Sequence, residues 1–418
     1  MQSKVILAGA FVAGSLAFSS QAMAADLQCG VSNGQAASGE PIVLGAIVGR
    51  TGPDDFGTSA RAAEAYFDCV NENGGIHGRP VKYIVGDDQW NPEIAAQLAA
   101  KIVKDEGALA MVGNSSFMEC AANARLYSEN NIMAVSGVGV PRECFAASNI
   151  AATNAGPRIS TTAAAEFAGE VLGAKSVVCI GPNIPNVGAW ACDGVTQWSE
   201  ANGLKANTIL IDPASLDATS LVLQAISTGA DSIVLSLPKG IMLPVLTAAE
   251  EQGFDQSHNW LSAASGYDLS VPVTLGSNWD GRFYVNMEFN PLQSDAPDNQ
   301  NWLAVMDSYA DDSTPRDTFA QAGYLAARVV TDTLLALDPS AMNRDAVTAA
   351  LSEVNSFESD IFCATWYIGK DQPRQNANHT TRMAVVQGDV WETVGDCRPS
   401  ADPELADIHA YEASAGIN

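Results

Sequence analysis

Residues 41–88 constrain the fold more than any other part of the chain: PIVLGAIVGRTGPDDFGTSARAAEAYFDCVNENGGIHGRPVKYIVGDD. Positions 42–48 are a short apolar run with β-branched residues, closed by Gly49 and the turn cluster Thr51-Gly52-Pro53-Asp54-Asp55. That is the pattern of a buried strand running into a loop. From Thr58 the period changes. Ala62, Ala65, Tyr66, Cys69 and Val70 recur at helical spacing, which predicts a helix over 59–71. Thr58 or Ser59 can cap it, and Asn73-Gly74-Gly75 ends it. A second strand over 81–85 follows the Gly78-Arg79-Pro80 turn. Strand, helix and strand make a βαβ unit, parallel and right-handed within one sheet. Ligands of such sheets bind beyond the carboxyl ends of the strands. The loop 49–57 is therefore the first candidate site element.

Ahead of this unit, Met1-Gln2-Ser3-Lys4, the apolar run 5–18 and Ala22-Met23-Ala24 read as a secretory signal peptide cleaved after Ala24. Gln28 stands where a small residue would precede a lipidated Cys29, so a soluble exported protein is expected. No later segment is long and apolar enough for a membrane helix. What remains is sufficient for two domains of ordinary size. The formal net charge of −27 argues against nucleic acid and anionic membranes as partners, and suits the solubility of an exported protein. All eight cysteines follow the leader. In an exported chain an even count points to disulfides, with about 105 possible pairings. Cys120–Cys144 is favoured because both fall near the carboxyl ends of neighbouring strands. Cys179–Cys192 and Cys363–Cys397 are the next near neighbours, which leaves Cys29–Cys69. The lack of a C-x-x-C pair and the presence of only four histidines argue against zinc. No metal or cofactor is expected.

Helix and strand patterns then alternate: helix 92–104, strand 108–112, helix 119–129, strand 132–135. Small residues and Pro157 interrupt the alternation over 151–157 like a hinge, and it restarts over 160–263. A strand at 282–287, helices at 301–309, 317–337 and 344–354, and strands at 361–368, 382–386 and 390–394 complete the pattern. This is α/β with doubly wound parallel sheets. The tail after Pro399 is acidic and weakly patterned, and is expected to wander over the surface. Gly113-Asn114-Ser115-Ser116 lies between a strand end and a helix start. Its hydroxyls and N–H groups can hold a carboxylate, or either serine can simply cap the helix. Ser136-Gly137-Val138-Gly139-Val140 contains G-x-G, but Pro141-Arg142 spoils the dinucleotide pattern. With no G-x-S-x-G elbow, no P-loop and histidines in unpromising loops, enzyme activity is not expected.

Thr51-Gly52-Pro53, Phe56-Gly57, Asn73-Gly74-Gly75-Ile76-x-Gly78-Arg79-Pro80-Val81, Asp87-Asp88 with Pro92, and Gly113 followed by Ser115-Ser116 resemble the type I periplasmic binding proteins. The resemblance is to the branched-chain amino acid (leucine/isoleucine/valine-binding) branch and runs from about 41 to 394. It implies two Rossmann-like lobes joined by a three-crossover hinge, the first of 39–154 plus 286–355, the second of 155–285 plus 356–418. It implies a monomer that captures an amino acid, carboxylate or amide in the interlobe cleft and delivers it to an ABC permease from the periplasm. A ligand-sensing partner of a receptor is the alternative. By position, Phe56 matches an aromatic wall residue, Ser115 or Ser116 the serine holding a ligand carboxylate, and Ser136 to Val140, including Val138, the segment gripping the same group. The acids that hold a ligand ammonium have no counterpart. Arg158 stands near the hinge, Ala264-Ser265-Gly266-Tyr267 lacks the glutamate, and Val187 replaces a tyrosine. Arg158 is accordingly a candidate for an acidic ligand, with a salt bridge as its competing use. Trp190, Tyr267 and Phe319 are candidates for an apolar wall or for core.

Overall fold

A computed structural model describes residues 27–417; the expected signal peptide lies outside the described residues. The described residues build two sheets. The first contains β1 (Ile42–Val48), β2 (Val81–Asp87), β3 (Ala110–Val112), β4 (Ala134–Ser136) and β5 (Ile150–Ala152), in the order β2-β1-β3-β4-β5. Every pairing in it is parallel. The second contains β6 (Ser176–Pro182), β7 (Lys205–Ile211), β8 (Ser232–Leu235), β9 (Asn259–Ser262), β10 (Phe283–Met287), β11 (Thr380–Gln387) and β12 (Val390–Pro399). Its order is β12-β11-β10-β9-β8-β6-β7. It is parallel from β7 to β10 and antiparallel where β11 and β12 join. The α/β two-lobe architecture is that of the sequence reading.

The opening βαβ unit sets the first lobe. β1 is buried along nearly its whole length, as a central parallel strand must be, and pairs with β2 from Ile42↔Val81 to Val48↔Asp87. The helix Thr58–Glu72 buries its alanine-rich face with Tyr66, Phe67, Cys69 and Val70. It packs on the long helix Thr318–Ala336, so a late segment completes the early lobe. Gly323 permits that approach: a Cβ there would fall 1.9 Å from the Ser59 carbonyl oxygen.

Three crossovers join the lobes, after β5, after β10 and before β11. Asn378 ties them together. Its Nδ2 donates to the Thr153 carbonyl at 2.8 Å and to the Glu288 carbonyl at 3.1 Å. Disulfides link Cys29 to Cys69, Cys120 to Cys144, Cys179 to Cys192 and Cys363 to Cys397, the four pairs favoured from sequence.

Two expectations are corrected. Residues 361–368 are not a strand but an irregular segment. Its apolar residues serve packing: Phe362 and Trp366 stack at 6.3 Å, and the Trp366 indole N–H donates to the Ala152 carbonyl. The tail does not wander. It forms a short turn at Pro403–Leu405 and the helix Ala406–Ala415, with Leu405 and Ile408 buried against Ala155 and Ile159 beside the first crossover.

Candidate ligand-binding cleft

The strand ends of both sheets face each other across a cleft, and the loops leaving them enclose a cavity of about 440 Å³ including its mouth. The first lobe contributes Phe56, Phe117, Val138, Val140 and Phe319 to its wall; the second contributes Val187, Ser236, Leu237, Pro238 and the run Ala263-Ala264-Ser265. The hinge contributes Asn154, Pro157, Ser160 and Glu288. The lobes also touch outside the cavity. Asp54 accepts from the Gly240 N–H at 2.8 Å, and the Arg142 N–H donates to the Asn186 carbonyl at 2.9 Å.

The wall of the first lobe is aromatic. Phe56 lies 4.9 Å from Phe117 edge-on and 5.1 Å from Phe319, while Trp90 stacks on Phe117 at 4.3 Å. Aromatic faces of this kind favour flat or branched apolar partners. Most of the polar lining is occupied by the protein itself. The Asn154 side chain accepts from the Gly139 N–H and donates to the Gly139 carbonyl, clamping the loop that carries Val138 and Val140. Ser160 bonds Asn286 and the Ala264 N–H, and Ser265 donates to the Leu237 carbonyl.

Glu288 is different. It is buried at the start of the second crossover, where its Oε1 accepts from the Gly156 N–H at 3.1 Å. Burial pushes its carboxyl up to about 8, outweighing the N–H groups of Gly156 and Ala155 and the Asn154 side chain. At neutral pH it therefore holds a proton and can donate it. Among the described residues, no lysine, arginine or histidine lines the cavity. The reading that no acid reaches the site is thus corrected: one does, from a crossover and not from the loop after β9. Its sequence signal is an acid directly following the strand RFYVNM at a lobe boundary.

The sequence candidates separate. Phe56, Val138 and Phe319 line the cavity. Ser115 and Ser136 are fully buried, each with a hydroxyl that has no partner among the described residues. The Ser116 hydroxyl accepts from the N–H groups of Met118 and Glu119 and donates to Asp88, so it caps the following helix. Tyr267 is buried in the second lobe, its hydroxyl accepting from the Leu292 N–H. Arg158 and Trp190 are corrected outright. The Arg158 guanidinium grips Asp402 through two bonds of 2.7 and 2.9 Å and also reaches the Trp190 carbonyl and Gln197. The Trp190 indole N–H donates to Glu404. Both serve the C-terminal tail, whose place in the fold its sequence does not reveal.

Comparison with known proteins gives the same picture. The fold superposes on an ABC transporter solute-binding protein from R. palustris in complex with 4-hydroxybenzoate, with a TM-score of 0.76 and 18% identity over 88% of this chain and 100% of that one. It also superposes on the leucine-binding protein LivK of Thermotoga maritima (TM-score 0.71, 16% identity, 86% and 99% covered). A fatty acid ABC transporter substrate-binding protein from Thermomonospora curvata gives a TM-score of 0.73 at 16% identity, with 90% and 95% covered. At these identities the likeness is one of fold. Among curated proteins, 80 residues are 34% identical to the chemotactic signal transduction system substrate-binding protein BasB of Halobacterium salinarum, covering 18% of this chain and 19% of that protein. Over 97 residues the chain is 28% identical to an amino acid binding protein of Pseudomonas aeruginosa, covering 22% and 26%. The chain thus matches about a fifth to a quarter of the length of these relatives. The family model described as periplasmic binding protein matches residues 41–390, and the chain belongs to that family.

Proposed function

We propose that the protein captures a small, largely apolar organic solute with one acidic or neutral polar end, closes its lobes around it, and delivers it to an ABC permease. The cavity's composition carries this reading. Three phenylalanines and a run of aliphatic side chains enclose it, and the ionisable group among its described lining residues is a carboxyl that stays protonated at neutral pH. A ligand carboxylate or amide can accept that proton. A ligand ammonium would instead require Glu288 to give up its proton inside a buried site, which burial disfavours. Aromatic and aliphatic carboxylates therefore fit better than amino acids. Ser115 and Ser136 are fully buried and do not line the cavity, but their unpartnered hydroxyls keep them as candidates for the ligand's polar end. The protein acts as a monomer without enzymatic chemistry, in the periplasm after removal of residues 1–24. Four disulfides support an extracytoplasmic site of action. Lobes of 39–154 plus 286–355 and 155–285 plus 356–418 are proposed, although the boundary at 286 falls inside β10, whose residues 286–287 pair with β11 in the second sheet. The local likeness to BasB supports a second reading, in which the closed form is read by a sensory receptor.

A thermal-shift panel of 4-hydroxybenzoate, octanoate, benzamide and leucine tests the ligand class. A true ligand at a hundred times its Kd stabilises by about 2.7 kcal/mol. The expected result is a shift with a carboxylate or amide. A shift with leucine alone would show that Glu288 ionises to meet an ammonium, and would overturn the proposed class.

A further inference from the structure

Away from the cleft, the C-terminal helix brings His409 and Glu412 against His379, which lies just before β11 on the third crossover. His379 Nε2 is 2.7 Å from Glu412 Oε1, and His409 Nδ1 is 3.4 Å from Glu412 Oε2. The two imidazole rings meet edge to face with centroids 4.9 Å apart. One potential ligand atom from each of the three residues lies within 4.8 Å of the other two. We propose that His379, His409 and Glu412 form a binding site for a divalent transition-metal ion of the Zn²⁺, Cu²⁺ or Ni²⁺ class, which pins the C-terminal helix to the hinge.

Histidine binds metal ions through the lone pair of a ring nitrogen. Two imidazoles and a carboxylate whose ligand atoms converge offer three electron-pair donors, and a shared cation satisfies them together. Two nitrogens and one oxygen select borderline transition metals over Mg²⁺ or Ca²⁺, which prefer all-oxygen shells. Three protein ligands leave a position for water. The site is also supported from outside. The Tyr367 hydroxyl donates to Glu412 Oε1 at 2.9 Å and orients the carboxylate as outer-shell groups do in metal sites. His379 Nδ1 is buried without a partner among the described residues, so no neighbour there fixes the ring proton on one nitrogen. His409 and Glu412 stand three residues apart on one helical face, and the His409 side chain is 41% exposed, which gives an ion a way in. The lack of a C-x-x-C motif and the presence of only four histidines argue against zinc on sequence grounds. The ligands come instead from two segments distant in the chain.

The test is calorimetric titration of EDTA-stripped mature protein with Zn²⁺. One ion per chain is expected, with a rise in Tm that EDTA reverses. His409→Ala and Glu412→Gln should each weaken binding by about tenfold or more, on the scale seen when metal-site partners are removed. His409 is exposed enough for its variant to fold, and Glu412→Gln keeps the side-chain shape. A double variant, His77→Ala with His258→Ala, should bind as the wild type does. Absence of Zn²⁺ binding, or unchanged binding in both single variants, would overturn the proposal.

Discussion

Ser115 and Ser116 show how much can turn on one position. Adjacent in sequence, they are interchangeable as candidates, but the fold gives them opposite tasks. The Ser116 hydroxyl caps two backbone N–H groups and holds Asp88; the Ser115 hydroxyl is buried with no partner among the described residues. Ser116→Ala should therefore cost about 1–2 kcal/mol in urea denaturation, the usual worth of a cap with a buried bond. Ser115→Ala should leave the midpoint almost unchanged and weaken the ligand identified by thermal shift. If the stability losses came out reversed, the capping role would be misplaced; if Ser115→Ala bound ligand normally, its hydroxyl would have no part in the site. At this scale the sequence is legible where a residue's role is local. Phe56 follows the first strand, and the loop after such a strand must open at the cleft. Glu288 is not legible, because its environment is made by three crossovers distant in sequence.

Among the elements, the tail departs most from expectation. A weakly patterned acidic segment reads as surface, because its contacts are ion pairs and a few apolar residues with no period. Here Asp402 takes Arg158, Glu404 takes Arg142 and Trp190, and Asp407 takes Arg374. The tail thus laces the first lobe, the second lobe and the third crossover at once. Of these pairs only Arg158–Asp402 is fully buried, with side-chain exposures of 4% and 1%. Removing one partner of a buried pair strands the other charge, so Arg158→Ala should lower stability by about 3–5 kcal/mol. The exposed pair Arg125–Glu129 sets the contrast, since breaking it should cost less than about 1 kcal/mol. Chemical denaturation of the two variants measures both. A selective loss of affinity for acidic ligands in Arg158→Ala, with stability intact, would return the guanidinium to the cleft. The segment 361–368 misleads for a related reason: alternating apolar residues look like a strand whether they face a sheet or, as Trp366 does, plug a hinge.

For the whole molecule, the alternation of strands and helices is enough to foresee two parallel sheets, because that signal repeats locally in every unit. Which carboxyls the packed lobes bury is not foreseeable, and these set the response to pH. Burial pushes Glu288 and Glu119 up to about 8, Asp317, with Asp268 beside it, to about 7, and Asp88 to about 6. In the unfolded chain such groups titrate near 4. Between those values the native state holds protons that the unfolded state has released, so stability falls as pH rises from about 5 to 8. Each tenfold difference in proton affinity between the folded and unfolded chain is worth about 1.4 kcal/mol, and all four groups act in the same direction. Acid works the other way on a different set. For Asp298, burial is outweighed by Arg328, and for Asp407 the Arg374 hydrogen bond dominates; both are held below their usual range. Their contribution is present above about pH 4 and lost below it. Tm should therefore peak at mildly acidic pH, decline toward pH 8 and level off above it. Glu288→Gln, which keeps the shape and removes the titration, should flatten part of that decline. A Tm that climbs from pH 5 to 9 in the wild type would mean that the buried carboxyls are ionised in the folded protein. The cleft would then present a negative charge at neutral pH and would suit a cationic solute better than an acidic one.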